Sequence, residues 1–400
     1  MLIAFDGTTL TPGRTGVGYY TEHLLQHLAR EVINTGDEIV VVSNQPIDTL
    51  TPLPAHVRVH DGHRFPIRIG WMQMRAARAL QALRPDVAHF TNGMIPMGSP
   101  VATVVTVPDM SLRLYPNCHP VRRLVLNRPL MHVAIRRASS IVTVSNSARR
   151  DLLRLHGVAP GRVSVVHEAA SPVFRPIGDR ARLDDIRARY GLPRSFVLYV
   201  GTIEPRKNLL RLMTAFAAAR KAGIPQHLVC VGPYGWSSRD LAGHIERLGI
   251  RNAVHFTGYV PFADLPAIYN LGDFFAFPSL YEGFGLPVVE AMASGLAVLT
   301  SSTSSLGEIA GDAAATIDPT DTEAIADAIV RLSTDAEWRR DLAERGLRRA
   351  RGFSWAQSAR DMLAVYHRAA GATAGSSARL PVGTGDQAMP VKSMSRSRTS

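Results

Sequence analysis

The sequence predicts an α/β protein built of two doubly wound domains that face one another across a cleft. Three observations carry this. Short apolar runs alternate with amphipathic, helix-period segments along both halves, the pattern of parallel strands joined by crossover helices. The alternation breaks once, at the turn-rich connector Ser171-Pro172-Val173-Phe174-Arg175-Pro176-Ile177-Gly178, and then restarts. At 400 residues, with 46% hydrophobic and 20% charged content, the chain has the material for two sizeable cores.

In the first domain, residues 1–175, strands are expected at Leu2–Phe5, Glu38–Ser43, Val57–His60, Val87–Thr91, Val101–Val107, Ile141–Val144 and Val163–Val166. Helices are expected at Tyr19–Glu31, Ile69–Leu83, Val121–Arg137 and Ser147–His156. The second domain, residues 176–354, reads as strand Phe196–Val200, helix Asn208–Ala222, strand His227–Val231, helix Ser238–Leu248 and strand Val254–Thr257. Helix Ala263–Leu271, strand Phe274–Pro278, helix Pro287–Ser294 and strand Ala297–Thr300 follow. A last helix over 355–371 offers Trp355, Met362, Leu363 and Tyr366 for burial. From 372 to 400 the composition turns to Gly, Ser, Thr, Arg and Pro, and a disordered tail is expected. Its Ser395-Arg396-Ser397-Arg398 segment would add at most weak attraction to a membrane.

Cys118 and Cys230 lie far apart and lack metal-ligand spacing, which fits a reducing compartment. Met1-Leu2-Ile3-Ala4-Phe5 runs straight into Asp6 with no basic leader, and no stretch approaches the roughly 20 apolar residues of a bilayer span. A cytoplasmic location is expected. The net charge is +12, and arginines cluster at Arg122, Arg123, Arg128, Arg136 and Arg137 among Val121, Leu124, Val125 and Leu126. This pattern fits a helix lying on an anionic membrane surface, a nucleic-acid face, or a helix with a solvated side. No helix-turn-helix, zinc-finger or RNA-binding motif accompanies it. Peripheral association with the inner face of the membrane is therefore expected over nucleic acid.

The most informative segment runs from Tyr281 to Gly295. An apolar strand ends in Glu282-Gly283-Phe284-Gly285-Leu286, and Pro287 is suited to the first turn of the helix that carries Glu290. Such a corner presents free N–H groups and a positive dipole end, and its glycines admit a ligand to the backbone. Glu290 is expected to stay ionised there and accept hydrogen bonds from hydroxyls. Two glutamates eight positions apart arise easily by chance. The glycines, the proline and the preceding strand each have a separate reason to be present, and together they favour a phosphate-bearing polyol.

A second corner follows Phe196–Val200: Gly201-Thr202-Ile203-Glu204-Pro205-Arg206-Lys207-Asn208. Cations at a helix start oppose its dipole, so an anionic ligand explains Arg206 and Lys207 better than a solvated loop does. Lys207 is also the first lysine of the chain. A third corner joins Asp6-Gly7 to Gly16-Val17-Gly18-Tyr19-Tyr20. Thr21 occupies the last position of a GxGxxG pattern, so a dinucleotide fingerprint is weak.

These motifs, in this order, resemble those of the retaining glycosyltransferases of family 4, which have the GT-B fold of two Rossmann-like domains, and in particular the mannosyltransferase-like branch of bacterial polysaccharide assembly. The resemblance covers roughly residues 1–370 and is strongest over 196–310. It implies a C-terminal helix returning toward the N-terminal domain. It also implies transfer of a hexose, mannose or a 6-deoxyhexose, from a nucleotide-diphosphate sugar with GDP favoured, to a glycan or lipid-linked acceptor. Lys207 and Arg206 would hold the donor diphosphate, and Arg206 would also take the duty of the arginine that relatives carry where this chain has Thr202, beside Gly201. Glu290 would bind the ribose. Glu282 would contact the transferred sugar, with the amides of Gly283, Phe284, Gly285 and Leu286 assisting, while Gly16 and Gly18 close over the diphosphate. Asp109 and Asp6, at strand ends of the first domain, are the acceptor-side candidates, although Asp109 also suits a turn cap.

One departure stands out. Relatives show His-Asp after the Val101–Val107 strand, the histidine facing the donor sugar, and this chain has Pro108. Proline supplies no donor, so a sugar lacking the 6-hydroxyl, or an acceptor group filling the gap, is expected. No metal-binding Asp cluster is visible and no cofactor is expected; cations and helix-end amides would stabilise the leaving diphosphate. Two alternatives stay open: a GT-B-like epimerase or phosphorylase, and a nonenzymatic nucleotide-sugar sensor.

Overall fold

A computed structural model of the chain describes residues 1–14, 16–60, 65, 67–235 and 241–377, the last six of them as backbone only. Seven strands form the first sheet: β1 (Leu2–Asp6), β2 (Glu38–Val42), β3 (Arg58–His60), β4 (Val87–Phe90), β5 (Ala102–Thr106), β6 (Ser140–Thr143) and β7 (Val163–Val165). Their order is β3-β2-β1-β4-β5-β6-β7. Six form the second: β8 (Phe196–Val200), β9 (His227–Val231), β10 (Val254–Gly258), β11 (Phe274–Phe277), β12 (Val298–Ser301) and β13 (Ala315–Ile317), in the order β10-β9-β8-β11-β12-β13. Every pairing in both sheets is parallel. Helices cover both faces, so β8 and β11 are buried throughout and read as unbroken apolar runs.

Strand order reverses beside β1 in the first sheet and beside β8 in the second. Crevices open at the carboxyl ends of strands at such switch points. The reversals therefore place the exits of β1 and β4, and of β8 and β11, where a ligand would lie.

The structure departs from the expected elements in places. The helix read at Ile69–Leu83 is broken at Arg75 into Arg68–Met74 and Ala76–Leu83. The first helix starts earlier and ends later than expected, at Gly16–Thr35. Elements that the pattern did not single out are also present, among them the following. Helix Arg180–Arg189 is capped by Asp179, helix Thr322–Thr334 by Asp321 and helix Ala336–Ala350 by Asp335; helix Ser304–Ala310 and strand β13 are others. The start expected for the helix at Ser238 lies outside the described residues, which show Leu241–Leu248.

The last helix runs Trp355–Ser377 and returns to the first domain. Tyr366 Oη lies 2.7 Å from His89 Nδ1, and Ser358 Oγ donates to the His167 carbonyl at 2.6 Å. Its continuation over 372–377 corrects the tail expected from residue 372. The stretch around Gly371 is rich in Ala, a good helix former, and Gly371 and Gly375 together cost less than the propagating helix gains. Residues 378–400 lie outside the described ones.

Candidate functional site

The site grows from the exits of β8 and β11, neighbours in the sheet although far apart in the chain. After β8, Gly201 adopts φ 156° and the chain tightens into a short turn, Pro205–Lys207, closed by Asn208 at φ 61°. Asn208 Nδ2 donates to the carbonyls of Pro278 at 2.9 Å and Pro319 at 2.7 Å, which pins this turn to the exit of β11. Thr202 packs against the loop beyond β9, its methyl lying 3.2 Å from where a Cβ on Gly235 would be.

Beyond β11 the chain turns through Tyr281–Gly285 into the helix Leu286–Ala293, with Pro287 in its first turn. Gly285 has φ 108°, a conformation that favours glycine. Gly283 is forced for a different reason: a Cβ there would lie 2.1 Å from the Pro108 carbonyl oxygen of the other domain. Ser305 Oγ donates to the carbonyls of Glu282 and Phe284, both at 2.9 Å. Among the described residues, the amides of Gly283 to Leu286 donate to nothing.

The cations and the carboxylate meet at this point. Lys207 Nζ lies 2.7 Å from Glu282 Oε1, and Arg206 Nη1 lies 2.8 Å from Glu282 Oε2. Arg206 Nη2 pairs with Glu204 at 2.8 Å, and Ser279 Oγ donates to Glu282 Oε1 at 2.7 Å. All four charged side chains are largely buried. Burial alone would raise the pKa of Glu282, but Arg206 and Lys207 outweigh it and hold the carboxyl down to about 2. Burial likewise works against the Arg206 charge, yet Glu282, Asp109 and Glu204 keep its pKa above the ordinary value. The cluster of two cations and two anions is electrically balanced.

Glu290 behaves differently from its expectation. It is half-buried, its Oε2 accepts from Tyr269 Oη at 3.0 Å, and burial pushes its pKa up to about 7. Desolvation outweighs the helix start, so Glu290 carries its charge for only part of the time at neutral pH.

The first domain contributes the opposite wall. Gly18 packs so that a Cβ would lie 2.9 Å from the Thr9 carbonyl oxygen, whereas Gly16 is exposed with open space around it. Next to them, Tyr19 stacks on Phe262 of the second domain with ring centroids 5.1 Å apart. Asp109 lies within electrostatic reach of Arg206, and its Oδ1 also accepts from Ser111 N at 2.7 Å, the turn-cap geometry. Asp6 is buried at the exit of β1, where Oδ1 accepts from Thr8 N at 2.9 Å and Arg68 is near; it does not join the Glu282 cluster. Further contacts hold the domains together: Tyr281 Oη donates to Asp151 at 2.9 Å, and Ser145 Oγ to the Gly283 carbonyl at 2.7 Å. Glu308 accepts from the amides of Asn146 at 2.9 Å and Ser147 at 2.7 Å.

Two residues near the cluster escaped the sequence reading. His119 is buried, with Nε2 3.0 Å from Ser111 Oγ, and it is close to Asp109 and Arg206. Glu168, on the connector past β7, is buried within reach of Glu282 and Glu290. Neither belongs to a glycine corner or a charge run, so no local signal marks them.

The chain is similar in sequence and in fold to known proteins. The family model for glycosyl transferases group 1 matches residues 184–349, and that for glycosyltransferase family 4 matches residues 14–171. The chain is 32% identical to O-antigen chain mannosyltransferase B of Escherichia coli over 293 residues, 73% of this chain and 77% of that protein. Among solved structures, sucrose-phosphate synthase from Thermosynechococcus elongatus is similar with a TM-score of 0.73 at 22% identity, covering 93% of this chain and all of the other. Anabaena HepE in complex with UDP-glucose is similar with a TM-score of 0.68 at 19% identity, covering 94% of this chain and 100% of that one. At such identities the structural likeness speaks for the fold alone.

Proposed function

Since the chain belongs to the glycosyltransferases, with a group 1 domain following a family 4 domain, we propose that it is a retaining hexosyltransferase. It takes mannose from a GDP-linked donor and passes it to a glycan or lipid-linked acceptor in cell-surface polysaccharide synthesis. The observation that carries this reading is the Lys207–Glu282–Arg206 cluster beside the unpaired amides of Gly283 to Leu286, at the switch point of the second sheet.

In this reading the diphosphate lies over those amides and against Lys207, which stabilise negative charge as the bond from the sugar anomeric carbon to the phosphate oxygen breaks. The acceptor hydroxyl forms its new bond on the same face, and its proton passes to the departing phosphate. Glu282, held ionised by its two cations, faces the positive charge that grows on the sugar. Glu290 in its ionised form accepts from the ribose hydroxyls. Asp109 orients the acceptor. The name of the Escherichia coli relative favours mannose, and HepE binds a nucleotide sugar. Pro108 favours a second donor, a 6-deoxyhexose, because no side-chain hydrogen bond is offered there to a 6-hydroxyl.

The helix Val121–Arg137 supports a membrane-facing role. Val121, Val125 and Leu126 are exposed alongside Arg122 and Arg123, while Met131, Ala134 and Ile135 anchor the helix in the domain. Among the described residues no helix is long and apolar enough to cross a membrane. Contact with anionic lipid would bring the site to a lipid-linked acceptor.

The test is thermal-shift and turnover measurement with GDP-mannose, GDP-fucose, UDP-glucose and dTDP-rhamnose, and NMR of the anomeric configuration of the product. Stabilisation and α-mannosyl transfer with GDP-mannose are expected. Turnover with GDP-fucose alone would select the 6-deoxyhexose, and inversion at the anomeric carbon would overturn the retaining assignment.

A further inference from the structure

A third carboxyl lies within electrostatic reach of both Glu282 and Glu290. Glu168 lies on the connector just after β7, is 8% exposed, and makes no hydrogen bond and no ion pair among the described residues. Within electrostatic reach of it are Glu282 and Glu290 from the second domain and Tyr20 from the helix Gly16–Thr35. Its neighbour His167 turns toward Glu308, with Nε2 3.5 Å from Oε1.

The backbone around Glu168 is fixed from two sides. Val166 N donates to the Thr143 carbonyl at 2.9 Å, which keeps the exit of β7 in the first sheet. The His167 carbonyl accepts from Ser358 Oγ at 2.6 Å, which ties the connector to the returning helix. A buried acid without a partner is costly, and a purely structural role would have supplied one. The carboxyl is held in place, and its oxygens, which are not sealed from solvent, stay open to a ligand.

We infer that Glu168 is a donor-binding residue that hydrogen-bonds the diphosphate of the nucleotide sugar as a neutral carboxylic acid. The inference rests on the glycosyl-transfer reading. If Glu290 marks the ribose end of the donor and Glu282 the sugar end, a group within electrostatic reach of both lies near the diphosphate between them. The first-domain corner at Gly16 and Gly18 leads directly into Tyr20, which lies within electrostatic reach of Glu168. An ionised carboxylate there would repel a diphosphate, whereas a protonated one donates a hydrogen bond to it. Burial, with Glu282 and Glu290 adding to it, pushes the Glu168 pKa up to about 8, so the proton is present at neutral pH.

Calorimetric titration of GDP and of UDP into wild type, Glu168→Gln and Glu168→Ala, from about pH 6.5 to about pH 9, tests this. Wild type is expected to lose about tenfold in affinity between roughly pH 7.5 and pH 9, as the proton leaves. Glu168→Gln, which keeps a donor and the shape, is expected to bind within about threefold of wild type at pH 7 and to lack that alkaline loss. Glu168→Ala is expected to bind about tenfold more weakly at pH 7, with a melting temperature in the absence of ligand no lower than that of wild type. Wild-type affinity in Glu168→Ala, or an alkaline loss retained in Glu168→Gln, overturns the inference. Should Glu168→Ala fail to fold, the isosteric Gln variant alone decides. Failure of wild type to bind either nucleotide would overturn the glycosyl-transfer reading as well.

Discussion

Lys207 Nζ sits 2.7 Å from Glu282 Oε1, bridging the exits of two neighbouring strands, β8 and β11. The sequence suggests two free cations for a diphosphate and one carboxylate for a sugar. In the structure these groups neutralise one another, and the positive potential left for a ligand comes from the unpaired amides of Gly283 to Leu286.

The two cations separate by consequence. Among the described residues the Lys207 ammonium bonds only to one oxygen of Glu282, and it lies over the Phe277 ring, 5.1 Å from its centre. Lys207→Ala is expected to keep the fold and lower kcat by about 10²–10³-fold. Arg206 joins Glu282, Glu204 and the Tyr281 carbonyl. Arg206→Ala leaves buried charge unpaired and is expected to cost about 3–5 kcal/mol of stability, read by chemical denaturation. Equal melting behaviour of the two variants would contradict this division.

Glu282→Gln should act in opposite directions on binding and on turnover. It removes a negative charge next to the diphosphate, so GDP affinity should rise about fivefold, roughly 1 kcal/mol. Transfer should fall because the sugar loses its carboxylate. Calorimetry and turnover on the same preparation check both, and weaker GDP binding would count against the placement of the diphosphate.

Glu290 gives a pH dependence of defined sign. Its folded pKa is raised by burial to about 7 from the ordinary glutamate value of 4.5. The folded state then holds a proton that the unfolded chain has lost, so the contribution to stability is full below pH 4.5 and is lost as pH rises through about 7. Glu290→Gln should therefore melt roughly 2–4 °C above wild type at pH 8 and lose that advantage at pH 4. Nucleoside binding by wild type should strengthen as pH rises through about 7, and the variant should lack this acid limb.

Gly283 is a contact between domains. Gly283→Ala places a Cβ 2.1 Å from the Pro108 carbonyl oxygen, and the hard atom on the other side is backbone. The domains must shift apart, and a displacement of about 1 Å at the reacting groups is expected to reduce turnover by about 10²-fold. Small-angle scattering of the variant should show a more open molecule.

The exposed apolar edge of Val121, Val125 and Leu126 predicts vesicle binding. Sedimentation with vesicles containing anionic lipid should capture wild type at low salt and release it as salt rises. Val125→Glu with Leu126→Glu should abolish capture while turnover on a soluble acceptor stays intact.

By itself, the sequence determined the class of fold and the corners of the site. Alternating apolar runs and helix-period segments are local patterns, and they placed most strands to within a residue or two. Glycines, Pro287 and the Arg206-Lys207 pair are also local, so Gly201 to Asn208 and Glu282 to Glu290 stood out as corners before any packing was known. Helices such as Thr322–Thr334 and Ala336–Ala350 went unread, although Asp321 and Asp335 cap them in the usual way. Only the tertiary structure decided that β8 lies beside β11, and so that Lys207 and Arg206 pair with a glutamate 75 and 76 residues away. It decided too that Glu290 is partly protonated and that Glu168 is buried within electrostatic reach of Glu282 and Glu290. Charge state and partner choice follow from desolvation and from contacts between distant segments, and neither leaves a mark on the spacing of residues along the chain.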